Sequence, residues 1–236
     1  MIYTICTFLQ RITLRSFSTW RVKGLDNVPK KGPLIIAANH QSNFDPPLLS
    51  ASIRRKVNFL AKGSVFTGGI VNYLLKAYGA HPVKRTSIDL KAYRWATDLL
   101  NQGNAIVIFP EGTRNPKSMS HPKKGAAKLA LATNAKIIPV GITGTENLGT
   151  WLRVINPTGK LTVNIGAPID PHNYPELIQN NDSEALLDIV MKEIAELIPS
   201  EYRGIYSLRL PTELSSDSHN TTLGQDGKIY RLCVAL

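Results

Sequence analysis

Two short segments carry the residue types that could do chemistry. One is Asn39-His40-Gln41-Ser42-Asn43-Phe44-Asp45; the other is Phe109-Pro110-Glu111-Gly112-Thr113-Arg114. In the first, a carboxylate follows an imidazole across a turn. A carboxylate on one ring nitrogen fixes the tautomer and stabilises the imidazolium, leaving the other nitrogen free to take a proton. His40 therefore reads as a general base oriented by Asp45. Asp45 before Pro46 and Pro47 also reads as a helix N-cap, and one carboxylate can do both. In the second segment Pro110 ends a strand, and Gly112 lets backbone approach a ligand closely. Thr113 offers a hydroxyl, and Arg114 a fork of donors suited to phosphate. The plainer reading of Glu111 and Arg114 is a surface ion pair. A Gly-x-Ser-x-Gly nucleophile motif is absent, so the nucleophile belongs to the substrate.

Alternating strands and helices must position these residues. Pro33–Ala38, Lys56–Ala61, Ala105–Phe109, Lys136–Ile142 and Leu161–Ile165 are short apolar runs and read as strands. Helices are expected from Asp45 through Ile53, through Ile70 to Ala77, over 89–101, over Gly125–Thr133 and over Asn181–Leu197. Asn181 with Glu184 resembles a capping box. The pattern predicts one α/β domain with a mostly parallel sheet flanked by helices. A strand ending at Asn39-His40 presents the imidazole where open α/β sheets bind ligands. Residues 206–236 turn polar and read as a mobile tail.

The charge is lopsided. Met1 to Arg85 holds 13 Lys and Arg against Asp26 and Asp45, whereas the remainder is balanced. Such asymmetry suggests an anionic partner. The basic residues form scattered pairs without a nucleic-acid motif, so nucleic acid is the weaker candidate. A membrane surface fits better. Within residues 1–20, Ile2, Ile5, Leu9, Ile12 and Phe17 lie mostly at helical spacing, and Arg11, Arg15 and Arg21 can reach headgroups. That composition suits a helix lying on an anionic bilayer. It suits equally an amphipathic helix packed on the domain 21–205. No apolar run is long enough to span a bilayer. Met1–Leu14, broken by Arg11, does not read as a signal peptide. Cys6 and Cys233 match no metal or redox spacing, which points to a reducing compartment.

Four blocks in order resemble the glycerolipid acyltransferase family, specifically the bacterial and plastid 1-acyl-sn-glycerol-3-phosphate acyltransferases. They are Asn39-His40 with Asp45; Gly79, Val83 and Arg85; Phe109 to Arg114 without change; and Ile138-Pro139-Val140. The resemblance spans roughly residues 20–205. Lys124 to Ala127 and Gly144-Thr145 also look familiar. The chain departs from the pattern where Lys62 is followed by Gly63-Ser64, and where Lys84 precedes the Arg of the second block.

The resemblance implies that a lysophosphatidic acid hydroxyl attacks an acyl thioester, on coenzyme A or acyl carrier protein. His40 would be the base and Asp45 its orienter. Arg85, Glu111, Gly112, Thr113 and Arg114 would hold the phosphate, and Ile138, Pro139 and Val140 would border the acyl chain. No metal, permanent cofactor or covalent acyl-enzyme is required. The protein would sit on the cytoplasmic or stromal-type face of a membrane. Other acceptors, such as glycerol 3-phosphate or another lysophospholipid, stay open. So do hydrolysis and an inactive lipid-binding protein.

Overall fold

In the computed structural model, residues 1–84, 89–148, 153 and 155–207 are described. In chain order the elements are α1 (Ile2–Phe17), β1 (Ser18–Lys23), β2 (Leu34–Ala38), α2 (Asp45–Ser52), β3 (Val57–Lys62), α3 (Gly69–Tyr78), β4 (Ala80–Val83), α4 (Leu90–Asn101), β5 (Ala105–Ile108), α5 (Gly125–Thr133), β6 (Lys136–Thr143), β7 (Gly159–Ile165), α6 (Pro175–Gln179) and α7 (Ser183–Glu196). All the strands and helices expected from sequence form. Two strands were not expected: β1, and the four-residue β4 carrying Pro82.

One seven-stranded sheet results, ordered β1-β7-β6-β2-β5-β3-β4. Every neighbouring pair is parallel except β6 with β7. Strand β2 lies at its centre and is buried throughout. Its residues alternate between two cores, as the period of a strand demands. Leu34, Ile36 and Ala38 join Leu14 of α1 and Leu48 and Leu49 of α2. Ile35 and Ala37 join Ala96 of α4, Leu129 of α5 and Val190 of α7. Unbroken apolar strands thus receive cover on both faces.

The order of the strands creates a crevice. After β2 the chain runs through α2 on one face to β3. After β5, the neighbour of β2, it runs through α5 on the other face to β6. Connections that leave adjacent parallel strands in opposite directions open a gap at their carboxyl ends. His40 follows β2, and Phe109–Arg114 follows β5, so both motifs meet there.

Three local expectations are corrected. Phe44, not Asp45, is the N-cap of α2, and the Asp45 carboxylate turns back to the preceding backbone. The cap of α7 is Asp182, which accepts from Glu184 N and Ala185 N, while Asn181 sits at φ 48 in the preceding turn. Arg11 does not reach outward: its guanidinium donates to Ala51 O at 2.8 Å and Ile53 O at 3.5 Å, capping the end of α2.

Helix α1 forms, with its apolar stripe turned outward. Thr7, Gln10 and Leu14 are buried, whereas Ile5, Phe8, Leu9, Ile12 and Phe17 are exposed. Helix α3 buries none of its residues, and its Ile70, Val71, Tyr73 and Leu74 are also exposed. The two helices touch one another. Among the described residues no helix is long and apolar enough to cross a membrane. Of the expected tail 206–236, Tyr206 is buried at the end of a 3-10 turn, Gly204–Tyr206; residues from 208 onward, with Cys233, lie outside the described residues.

Candidate active site

The site is assembled around the His40 ring. Its Nδ1 lies 2.7 Å from Asp45 Oδ2. That oxygen also accepts the N–H groups of Gln41 at 2.8 Å and Ser42 at 2.9 Å. A carboxylate oxygen is an acceptor only, so the imidazole donates from Nδ1 and Nε2 carries the lone pair. Asp45 is wholly buried. Its other oxygen, Oδ1, accepts the hydroxyl of Thr145 at 2.6 Å. The phenyl ring of Phe109 stacks on the imidazole with centroids 4.0 Å apart.

The two motifs are locked together through backbone. Glu111 Oε1 accepts His40 N–H at 3.1 Å. Glu111 Oε2 accepts Asn115 Nδ2 at 2.6 Å, Ser120 N at 3.0 Å and Ser120 Oγ at 3.2 Å. Asn115 N–H in turn donates to His40 O at 2.7 Å. Glu111 is 3% exposed and absent from the cavity wall, and both its oxygens are taken up by the His40 backbone, Asn115 and Ser120. A carboxylate beside a phosphate would also be repelled. Gly112 takes φ +67, and a Cβ there would meet the Lys123 side chain at 3.0 Å. The positive φ is what favours glycine at this turn, since the flexible end of Lys123 could move aside.

Asn39 joins the third element. Its Nδ2 donates to Ile142 O at 2.9 Å, and Ile142 N–H donates to Asn39 Oδ1 at 2.7 Å. This pair continues the β2–β6 ladder past the end of the strand. Ser42 Oγ donates to Leu148 O at 2.7 Å. Both residues of the first motif therefore act on the backbone, not on a ligand.

A cavity of about 300 Å³ opens beside His40, between the sheet and helices α4 and α5. Its wall is mostly apolar: Leu60, Val83, Ala92, Tyr93, Ala96, Ile108, Ala126 and Leu129. Gly112, Lys84, Asp89 and Lys123 complete it. Asp89 caps α4 and accepts Lys84 N–H at 2.9 Å, and these backbone donors hold its carboxyl below the usual range. Arg85, expected at the phosphate, lies between them and outside the described residues. Thr113 and Arg114 are exposed, and Arg114 has no hydrogen-bond or ionic partner among the described residues.

The expected acyl-chain residues lie elsewhere. Ile138 and Val140 are fully buried in the core on the α2 side of the sheet, and Pro139 pairs with Ala37 in the β2–β6 ladder. None lines the cavity. Sequence reasoning marked Thr145 as familiar but gave it no role, and it missed Asn115, Lys123 and the cavity wall. The Lys123-Lys124-Gly125 run before an Ala-rich helix was the available signal for Lys123.

Fold and site together define a mostly parallel α/β protein with a His–carboxylate pair at the switch point of its sheet, bordering an apolar cavity. Residues 19–143 match the family described as Acyltransferase, and the chain belongs to that family. It is 31% identical over 176 residues to the 1-acyl-sn-glycerol-3-phosphate acyltransferase of Borreliella burgdorferi, covering 73% of this chain and 70% of that protein. It is 29% identical over 141 residues to a chloroplastic 1-acyl-sn-glycerol-3-phosphate acyltransferase of Arabidopsis thaliana, covering 58% of this chain and 39% of the larger protein. Among solved structures it is similar to the 1-acyl-sn-glycerophosphate acyltransferase PlsC of Thermotoga maritima, with TM-score 0.59 and 28% identity. That match covers 77% of this chain and 79% of the other.

Proposed function

We propose that this chain moves a fatty acyl group from an acyl thioester to the 2-hydroxyl of 1-acyl-glycerol-3-phosphate, giving phosphatidic acid. The observation that carries the reading is the His40–Asp45 pair facing an apolar cavity, in a chain whose relatives bear that activity in their names. The acceptor hydroxyl gives its proton to His40 Nε2 as its oxygen attacks the thioester carbonyl. The tetrahedral intermediate collapses with cleavage of the C–S bond. The departing sulfur takes the proton back from the imidazolium, whose charge Asp45 balances. General-base help of this kind is worth ~10² to 10⁴ in rate.

The cavity below His40 suits the acyl chain of the thioester, and it replaces Ile138, Pro139 and Val140 in that role. Arg114, exposed and without a partner among the described residues, suits the acceptor phosphate, with Arg85, Gly112 and Thr113 contributing. Glu111 supports the base from behind. The donor is a coenzyme A or acyl carrier protein thioester, and the cycle needs no metal or permanent cofactor.

The outward apolar faces of α1 and α3, with the basic first third of the chain, suit contact with one anionic leaflet. We place the protein on the cytoplasmic or stromal-type face, where acyl thioesters reach it. The test is the conversion of lysophosphatidic acid by purified full-length protein on anionic vesicles, with oleoyl-coenzyme A and then an oleoyl carrier-protein thioester. Phosphatidic acid is the expected product. Thiol release without any acylated lipid would make the protein a hydrolase. Acylation only of glycerol 3-phosphate or a larger lysophospholipid would move the acceptor.

A further inference from the structure

The two oxygens of Asp45 are used unequally. Oδ2 takes three donors, and Oδ1 takes the Thr145 hydroxyl. We propose that Thr145 is a positioning residue for the base, holding the Asp45 carboxylate in the plane that serves His40. This rests on the reading of His40 as general base.

Three features support it. First, Thr145 has no exposed surface, and the 2.6 Å contact is the shorter of its two options. The other acceptor in range, Gln41 Oε1, is 3.3 Å away. A hydroxyl has one proton to give, so Asp45 receives it.

Second, the turn that presents Thr145 is fixed by its surroundings. Gly144 sits at φ +91, where a Cβ would fall 1.9 Å from Lys160 O of β7. Leu148 N–H closes the turn onto Thr145 O at 2.8 Å. Past the middle of β6 the chain is tied to the His40 loop at Asn39–Ile142, Thr145–Asp45 and Leu148–Ser42. Of these ties only Thr145 reaches the carboxylate.

Third, the chemistry requires a partner there. A buried carboxylate oxygen without a donor is costly. Losing the hydroxyl either rotates the carboxylate off the imidazole or leaves it with one donor fewer.

The test compares Thr145→Val, which keeps the shape and removes the hydroxyl, with Thr145→Ser, which keeps the hydroxyl. Thr145→Val should lower kcat about 10- to 100-fold, the span of one hydrogen bond to a charged group. The KM for lysophosphatidic acid should change little. Thr145→Ser should restore the rate. Wild-type kcat in Thr145→Val, or a Ser variant as slow as the Val variant, would overturn the assignment. If Thr145→Val does not fold, Thr145→Ala carries the same comparison. His40→Ala is measured alongside. An active His40→Ala protein overturns the base and this proposal with it, whereas an inactive one beside a wild-type-like Thr145→Val overturns only the part given to Thr145.

Discussion

Glu111 Oε1 accepts the backbone N–H of His40 at 3.1 Å, so the carboxylate of one motif is built into the peptide frame of the other. Its second oxygen gathers Asn115 and Ser120. His40 is thus held by two buried acids. Asp45 grips the ring, and Glu111 grips the chain that carries it.

This division of labour predicts the kinetics of Glu111→Gln. The amide keeps the shape but presents two donor hydrogens where the carboxylate accepted. The variant should lose about 10-fold or more in kcat, with the acceptor KM little changed, because a buried hydrogen bond to a charged group is lost. Steady-state kinetics decide. A raised acceptor KM at unchanged kcat would put Glu111 against the phosphate after all.

Arg114 should behave in the opposite way. Arg114→Ala is expected to raise the KM for lysophosphatidic acid about 10-fold or more and to leave kcat near wild type, since a charge-assisted contact to phosphate is lost. Added salt should narrow the difference, because Arg114 is exposed and its charge is screened. An acceptor KM equal to wild type at low salt would remove Arg114 from the phosphate site.

The cavity wall predicts chain-length selectivity. Ala92 is 3% exposed and lines the cavity one helical turn from Ala96. Ala92→Phe should shift preference among acyl thioesters toward shorter chains, measured by competition between two lengths. It should also lower stability by ~1–3 kcal/mol from overpacking. An unchanged chain-length profile in the folded variant would place the acyl chain elsewhere.

The two faces of α1 should separate binding from folding. Serine at Phe8, Leu9 and Ile12 should weaken sedimentation with anionic vesicles and leave Tm unchanged, because those side chains face outward. Leu14→Ala should lower stability by ~2–5 kcal/mol through a core cavity. Undiminished vesicle binding by the triple variant would locate the contact on another surface.

Much of this architecture was legible in the residues. Unbroken apolar runs such as Leu34–Ala38 can only be central strands, and the spacing of His40 and Asp45 suffices for the ring contact. The strands missed are short or at the edge. Ser18–Lys23 has only three half-buried residues alternating with exposed ones, and Ala80–Val83 contains a proline that an edge strand tolerates. Periodicity found the stripe on α1 but not the direction it faces, because a helix stripe says nothing about which side meets the core. The inward turn of Glu111 was equally hidden. Its donors, His40 and Ser120, are 71 residues before it and nine after it, and only the packed loops bring them together. Thr145 stood out only as a familiar residue; its contact with Asp45, 100 residues away, was hidden for the same reason.

The most direct test of a base acting without a covalent acyl-enzyme is rapid-mixing measurement of thiol release from oleoyl-coenzyme A on anionic vesicles, with and without lysophosphatidic acid, in wild type and His40→Ala. Release should require the acceptor, match phosphatidic acid mole for mole, and fall at least ~10²-fold in the variant. A stoichiometric burst of thiol before acceptor is added, or wild-type release from His40→Ala, would contradict it.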